Sequence, residues 1–150
     1  MTREAAILFR WLFLIFALAV IVNYIWELAQ TPLYTGIEFP GALWHCFVAS
    51  LGDGLLVLFI YAAVAAVMRS PDWYLRPTAP SYIAMAMVGF AVGFAVEWWG
   101  LYIAQRWRYS DLMPVIPRIG IGAVPVLQML LLPPAIFAVV RKLVARPERK

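Results

Sequence analysis

The chain has 150 residues, 65% of them hydrophobic and 13% charged, with a net charge of +4 and a single cysteine. A soluble domain carries about 25% charged residues and could not bury this much apolar surface, while the long unbroken apolar runs lack the alternation of a membrane β-barrel. The fold class is therefore all-α, an integral membrane four-helix bundle in one domain; the basic residues flank the apolar runs as membrane anchors do, which leaves no nucleic-acid partner, and a lone Cys46 excludes an internal disulfide or a Cys-x-x-Cys site.

In chain order, Thr2-Arg3-Glu4 precedes an apolar run too long for a signal peptide and without a small-x-small cleavage site, so it reads as an uncleaved first span over about 7–30. Thr31-Pro32 ends it, since proline disfavours helix at the residue before it. Span two covers about 42–68 and stops at Arg69-Ser70-Pro71, span three about 81–105, and span four about 121–144, with Pro125, Pro133 and Pro134 expected to bend it. Each exceeds the roughly 20 residues that cross about 30 Å of hydrocarbon. The connections are short enough to make neighbours antiparallel, in up-down-up-down order. The stretch Met113-Pro114-Val115-Ile116-Pro117 reads as a piece that folds back over the bundle mouth.

With both termini cytoplasmic, the inner side holds Arg3, Arg10, Arg69, Arg76, Arg141, Lys142, Arg146, Arg149 and Lys150, and the outer side only Arg106, Arg108 and Arg118. The positive-inside rule selects that orientation. Trp73 and Tyr74 are then expected in the inner aromatic belt, and Trp44, Trp98, Trp99 and Tyr102 in the outer one.

Depth is the main functional signal. At a rise of about 1.5 Å per residue, Glu27 and His45 lie roughly 5 Å below the outer boundary, Asn23 and Gln128 roughly 10 Å, Glu97 roughly 12 Å and Asp53 roughly 16 Å. A charge at the bilayer centre costs roughly 2.5–3.5 kcal/mol on insertion scales, so polar groups gathered from four spans read as one site. Asn23, Glu27 and Gln30 share a helix stripe, and Gly89, Gly93 and Glu97 repeat every four residues on a face that another helix can approach closely. Gly52 and Gly54 flank Asp53, which suggests close packing or room for a ligand.

Asn23, Gln30, Ser50 and Gln128 suit interhelical hydrogen bonding, and His45 near the interface suits a solvated imidazole. Glu97 and Asp53 are the candidate catalytic groups, because buried carboxylates are characteristic of functional sites. Arg106, Arg108 and Tyr109 join Asn23, Glu27, His45 and Gln128 as candidate ligand-binding residues. Two arginines on the side that disfavours cations call for Glu97, Asp111, a lipid phosphate or an anionic ligand. On a continuing helix, Glu97 and Arg108 would fall about 20° apart.

The stretches Glu97-Trp98-Trp99-Gly100-Leu101, Arg106-Trp107-Arg108-Tyr109-Ser110-Asp111-Leu112-Met113-Pro114 and Pro125-Val126-Leu127-Gln128, with Trp26-Glu27, His45-Cys46 and Ala49-Ser50-Leu51-Gly52-Asp53, resemble a family of small four-span bacterial integral membrane proteins with no assigned function. The resemblance covers all four spans; it implies a bacterial cytoplasmic membrane and that these positions act together, and it implies no activity.

One histidine rules out a bis-histidine haem within the chain, and no Glu-x-x-His pair supports a di-iron site. A single metal held by His45, Glu27 and Glu97 stays open; no cofactor is indicated. Nucleophile-elbow and phosphate-loop motifs are absent, and no inverted repeat marks a transporter. Three functions are expected to compete. The first is a protein with an outward-facing polar pocket that binds a lipid or amphipathic small molecule, or that serves as an accessory subunit of a membrane complex. The second is an enzyme using carboxylate acid/base chemistry on a lipid-like substrate. The third is an ion or proton conduit. Expected partners are membrane lipids and either a second copy of the chain or a larger membrane complex.

Overall fold

Four apolar stretches form helices in the computed structural model, which describes residues 3–144, with side chains from Ile7 onward: α1 (Arg3–Gln30), α2 (Gly41–Met68), α3 (Ala79–Trp98) and α4 (Ala123–Val144). Thr2, the side chain of Arg3 and the basic tail with Arg146, Arg149 and Lys150 lie outside the described residues. All four helices are long and apolar enough to cross a membrane. Each packs on its neighbours in sequence, and α1 also packs on α4, closing an up-down-up-down ring.

Helix ends follow local chemistry. Pro32 stops α1, and a 3-10 turn over Thr31–Leu33 replaces it. Span three begins at Ala79 rather than Ser81, because Thr78 caps it. The Thr78 hydroxyl accepts the Ser81 N–H at 3.4 Å, the Ser81 hydroxyl accepts the Thr78 N–H at 2.8 Å, and Pro80 sits in the first turn, where a missing N–H is harmless. Its far end departs from expectation. The α-helix stops at Trp98, widens into a π turn over Trp99–Ile103, and Gln105 takes the left-handed conformation (φ 49°). Ala104 N–H donates to Trp99 O at 2.8 Å and Arg106 N–H to Gly100 O at 2.9 Å, closing the helix. Gly100 permits this turn: any Cβ there would collide with the Trp107 indole, which lies across the helix end.

Two seams are closed by missing side chains. Gly54 of α2 lies against Phe16 and Val20 of α1, and Gly89 and Gly93 of α3 lie against Met129 and Val126 of α4. Pro133 sits inside α4, so the Met129 carbonyl four residues earlier lacks its helical donor. That carbonyl is directed at Gly89, where the absence of a Cβ makes room for it.

The end of the bundle near Arg69 and Arg141 is filled with aromatics. Trp73 and Tyr74 are each 5% exposed. They pack with Tyr61 and Phe137 at centroid separations of 5.0–6.3 Å. Trp73 Nε1 donates to Tyr61 O at 3.3 Å and Tyr61 OH to Pro71 O at 2.9 Å. Trp73 and Tyr74 are thus core residues rather than the belt anchors expected, because the 69–78 connection folds under the bundle. Burial, then the neighbouring Tyr61 phenol, pushes the Tyr74 hydroxyl up to about 12. Trp44, Trp98, Trp99 and Tyr102 at the other end are exposed, as a belt requires.

Candidate functional site

The α1 stripe Asn23, Glu27 and Gln30 faces α4, where Gln128 is 2% exposed. Gln128 Nε2 lies 2.7 Å from Asn23 Oδ1, 3.0 Å from Asp53 Oδ2 and 3.2 Å from Glu27 Oε1. An amide nitrogen has two hydrogens, so these three acceptors share them. Gln30 Nε2 donates to Glu27 Oε1 at 2.8 Å and to Gln128 Oε1 at 3.3 Å, and Gln30 Oε1 accepts from Trp26 Nε1 at 3.2 Å. Asn23 Nδ2 is spent on Ala19 O, one turn back on its own helix, at 2.8 Å. One amide therefore ties together α1, α2 and α4. The Glu27 and Asp53 carboxyls both accept from Gln128 Nε2, which brings them together at the same point of the site.

Glu97, 5% exposed on α3, receives the hydroxyl of Tyr109, whose oxygen accepts the Gly122 N–H at 2.9 Å. Tyr109 reaches it because the outer connection is strapped to the segment after α1. Thr35 N–H donates to Arg108 O at 3.0 Å, Ser110 N–H to Leu33 O at 2.9 Å and Ser110 Oγ to Pro32 O at 2.9 Å. Tyr34 pairs with Tyr109, ring centroids 5.7 Å apart. Burial, then the hydrogen bond to Glu97, pushes the Tyr109 phenol up; burial, then the charge of Glu97, does the same for Tyr34. Both phenols therefore stay protonated at ordinary pH, and Tyr109 remains a donor. Among the described residues, Trp107 Nε1 is the one buried side-chain nitrogen or oxygen without a hydrogen-bond partner. It lies beside the Glu97–Tyr109 pair.

A cavity of about 760 Å³ occupies this end of the bundle. Its floor is polar: Glu27, Gln30, Asp53, Glu97 and Gln128. Its walls are aromatic or apolar, including Tyr34, Trp44, Trp99, Trp107, Leu56, Val96 and Met129. Trp44, His45, Val48 and Gly52 of α2, and Trp99 after α3, line it and are also exposed. The cavity therefore opens sideways between α2 and α3, the seam whose half beside Asp53 no glycine contact closes. Gly52 has open space where a Cβ would project, in contrast to Gly54 two residues on.

No protein-family model, curated protein or solved structure matches this chain. The site's chemistry is carried by its own residues. Glu27, Asp53, Glu97 and Gln128 line one cavity, and Asn23 accepts from Gln128 behind it. His45 lines the mouth and is exposed; Arg106 lines it too.

Three expectations are corrected. Glu97 takes Tyr109 as its hydrogen-bond partner rather than an arginine or a residue beyond, and Tyr109 acts through Glu97 rather than lining the cavity. Arg108 shares no helix face with Glu97, because α3 ends before reaching it; Arg108 is exposed in the strapped segment. Among the described residues, no group of three or more His, Cys, Asp or Glu is placed to hold a metal ion, so His45, Glu27 and Glu97 do not form one ligand set. The Met113–Pro117 stretch does turn back, with Val115 bridging Gly122 and Ile116 N–H donating to Ile121 O at 2.7 Å. The walls Tyr34 and Trp107 escaped the sequence reading. Gly100, which seats Trp107, was the available signal.

Proposed function

We propose that this chain is a multi-pass protein of the bacterial cytoplasmic membrane, both termini cytoplasmic, that binds a lipid or amphipathic small molecule in an outward-facing pocket, alone or as an accessory subunit of a membrane complex. The observation that carries the reading is one roomy cavity with a polar floor, aromatic walls and a side opening onto the apolar belt. That combination suits an amphiphile, since ligand sites join apolar walls to a few fixed polar groups. Mass spectrometry of small molecules released from purified protein tests it. Wild type carries a species that Gly52→Leu, which fills the open side of the cavity, lacks; identical extracts from both proteins refute it.

A second reading, acid/base catalysis on a lipid-like substrate, draws on the Glu97–Tyr109 hydrogen bond and the joining of Glu27 and Asp53 on Gln128. Lipid turnover lost in Glu97→Gln with folding intact would favour it. A conduit finds less support: between Asp53 and the aromatic cluster the buried core is Ile15, Ala19, Val57, Ile60 and Val64, which carry no titratable side chain.

A further inference from the structure

The cavity has a mismatch in its hydrogen-bonding inventory that identifies the kind of head group it takes. Trp107 Nε1 is the one buried donor left free among the described residues; the amide and phenol donors at the floor are committed, Gln128 Nε2 to three acceptors, Gln30 Nε2 to two, and the Tyr109 hydroxyl to Glu97. The acceptors are not. The recorded bonds fall on Glu27 Oε1, Asp53 Oδ2 and Glu97 Oε2, leaving the second oxygen of each carboxyl without a side-chain or backbone donor among the described residues. None of these oxygens is sealed from a solvent-sized probe, so they are open to a ligand. Such half-buried acceptors have no protein donor among the described residues, and a ligand that brings N–H groups supplies one.

The walls agree in sign. Trp44, Trp99, Trp107 and Tyr34 line the cavity, and an aromatic lining favours a cation through the negative potential of its ring faces. His45 and Arg106 line the mouth, His45 close enough to Glu27 to act on it electrostatically. His45 is separated from Asp53 by about 12 Å of helix rise, and both it and Arg106 are exposed at the mouth.

We propose that the cavity selects an amphiphile with a cationic amine head. The ammonium sits between Glu27 and Asp53, which Gln128 holds together, and the apolar tail leaves through the α2–α3 seam past Gly52 and Val48. The proposal rests on the binding reading above and narrows it to one ligand class.

The test uses the full chain in phosphatidylcholine nanodiscs and three probes with one tail: dodecylamine, dodecanol and dodecanoate. Quenching of tryptophan fluorescence reports binding, and parallel titration of Gly52→Leu subtracts partitioning into lipid. Charge-assisted hydrogen bonding predicts dodecylamine binding about tenfold or more tighter than dodecanol, with dodecanoate weakest. In Asp53→Asn, and independently in Glu27→Gln, the amine-to-alcohol affinity ratio falls toward unity. Equal affinity for the three heads, or preference for dodecanoate, overturns the head-group assignment and leaves the binding reading standing. Failure of every probe to bind wild type more than Gly52→Leu overturns both.

Discussion

Three glycines that look alike in sequence should respond oppositely to alanine, because their surroundings differ. Alanine in a helix is favoured over glycine by roughly 0.5–1 kcal/mol when nothing opposes the methyl group. At Gly52 nothing lies within 4 Å of the new Cβ, so Gly52→Ala should stabilise by about that amount. At Gly54 the Cβ would meet the Phe16 ring at 2.8 Å and Val20 Cγ2 at 2.9 Å. Both are side chains that can give, and the net effect should be a loss of about 1 kcal/mol. At Gly89 the Cβ is driven into the Met129 carbonyl oxygen and lies 3.2 Å from its carbon. Backbone cannot swing aside, and the carbonyl has already lost its helical donor to Pro133, so α3 and α4 must part. Overpacking costs roughly 1–3 kcal/mol, and loosening the Gly93 contact beneath it places Gly89→Ala at the upper end. Reversible unfolding by denaturing detergent in mixed micelles should rank stability as Gly52→Ala, wild type, Gly54→Ala, Gly89→Ala. Gly89→Ala at or above wild-type stability, or Gly52→Ala below Gly54→Ala, would refute the seam assignments.

Gln128→Leu removes the donor shared by Asn23, Glu27 and Asp53 and should destabilise by roughly 1–3 kcal/mol, read by the same assay; Gln128→Glu, which keeps the shape but not the donor, should fare no better. Tyr109→Phe should abolish the hydrogen bond to Glu97 and leave the α1–α4 amide network intact, so ligand binding shifts more than stability does, measured by nanodisc titration beside unfolding. The raised phenols predict alkaline sensitivity. A folded-state value above the unfolded one gives stability that is complete below the unfolded value of about 10 and is lost as pH rises beyond it. Stability should therefore fall above that pH, and Tyr34→Phe with Tyr109→Phe should flatten the decline. A reporter fused at the C-terminus should respond as cytoplasmic; an extracytoplasmic signal would reverse the orientation drawn from the basic residues.

The fold was legible because hydropathy and proline are strong local signals. Apolar runs longer than a bilayer's thickness, broken at Pro32, Pro71 and Pro80, delimit the first two helices and the start of the third to within a few residues of the observed ends. The polar floor was legible through depth, since helix rise alone places Glu27, Glu97 and Gln128 at similar levels. Partner choice was not. Pairing Glu97 with Tyr109 depends on where α3 ends, and that is decided by Trp107 lying on Gly100, a tertiary contact with no periodic signature. Trp73 and Tyr74 were misplaced for a related reason. An aromatic pair beside a span looks the same whether it faces headgroups or folds under the bundle, and only the hydrogen bond from Trp73 to Tyr61 O distinguishes them.

The triplet Gly52-Asp53-Gly54 condenses the design of the site. Successive helical residues are turned by about 100°, so three in a row face three directions. Gly54 is turned toward α1 and allows Phe16 and Val20 to close on the α2 backbone. Gly52 is turned toward the open seam and leaves it clear. Asp53 lies between them and reaches Gln128, drawing α2 into the α1–α4 network. The carboxylate is thereby held on a backbone fixed from one side while the other side stays empty, an arrangement suited to a binding group that must be rigid in position yet reachable from the membrane. A larger residue at 54 would push α2 away from α1 and lift Asp53 off Gln128; a larger residue at 52 would leave that geometry alone and occupy the space. The same residue type thus serves packing at one position and access at the other, and Asp53 requires both.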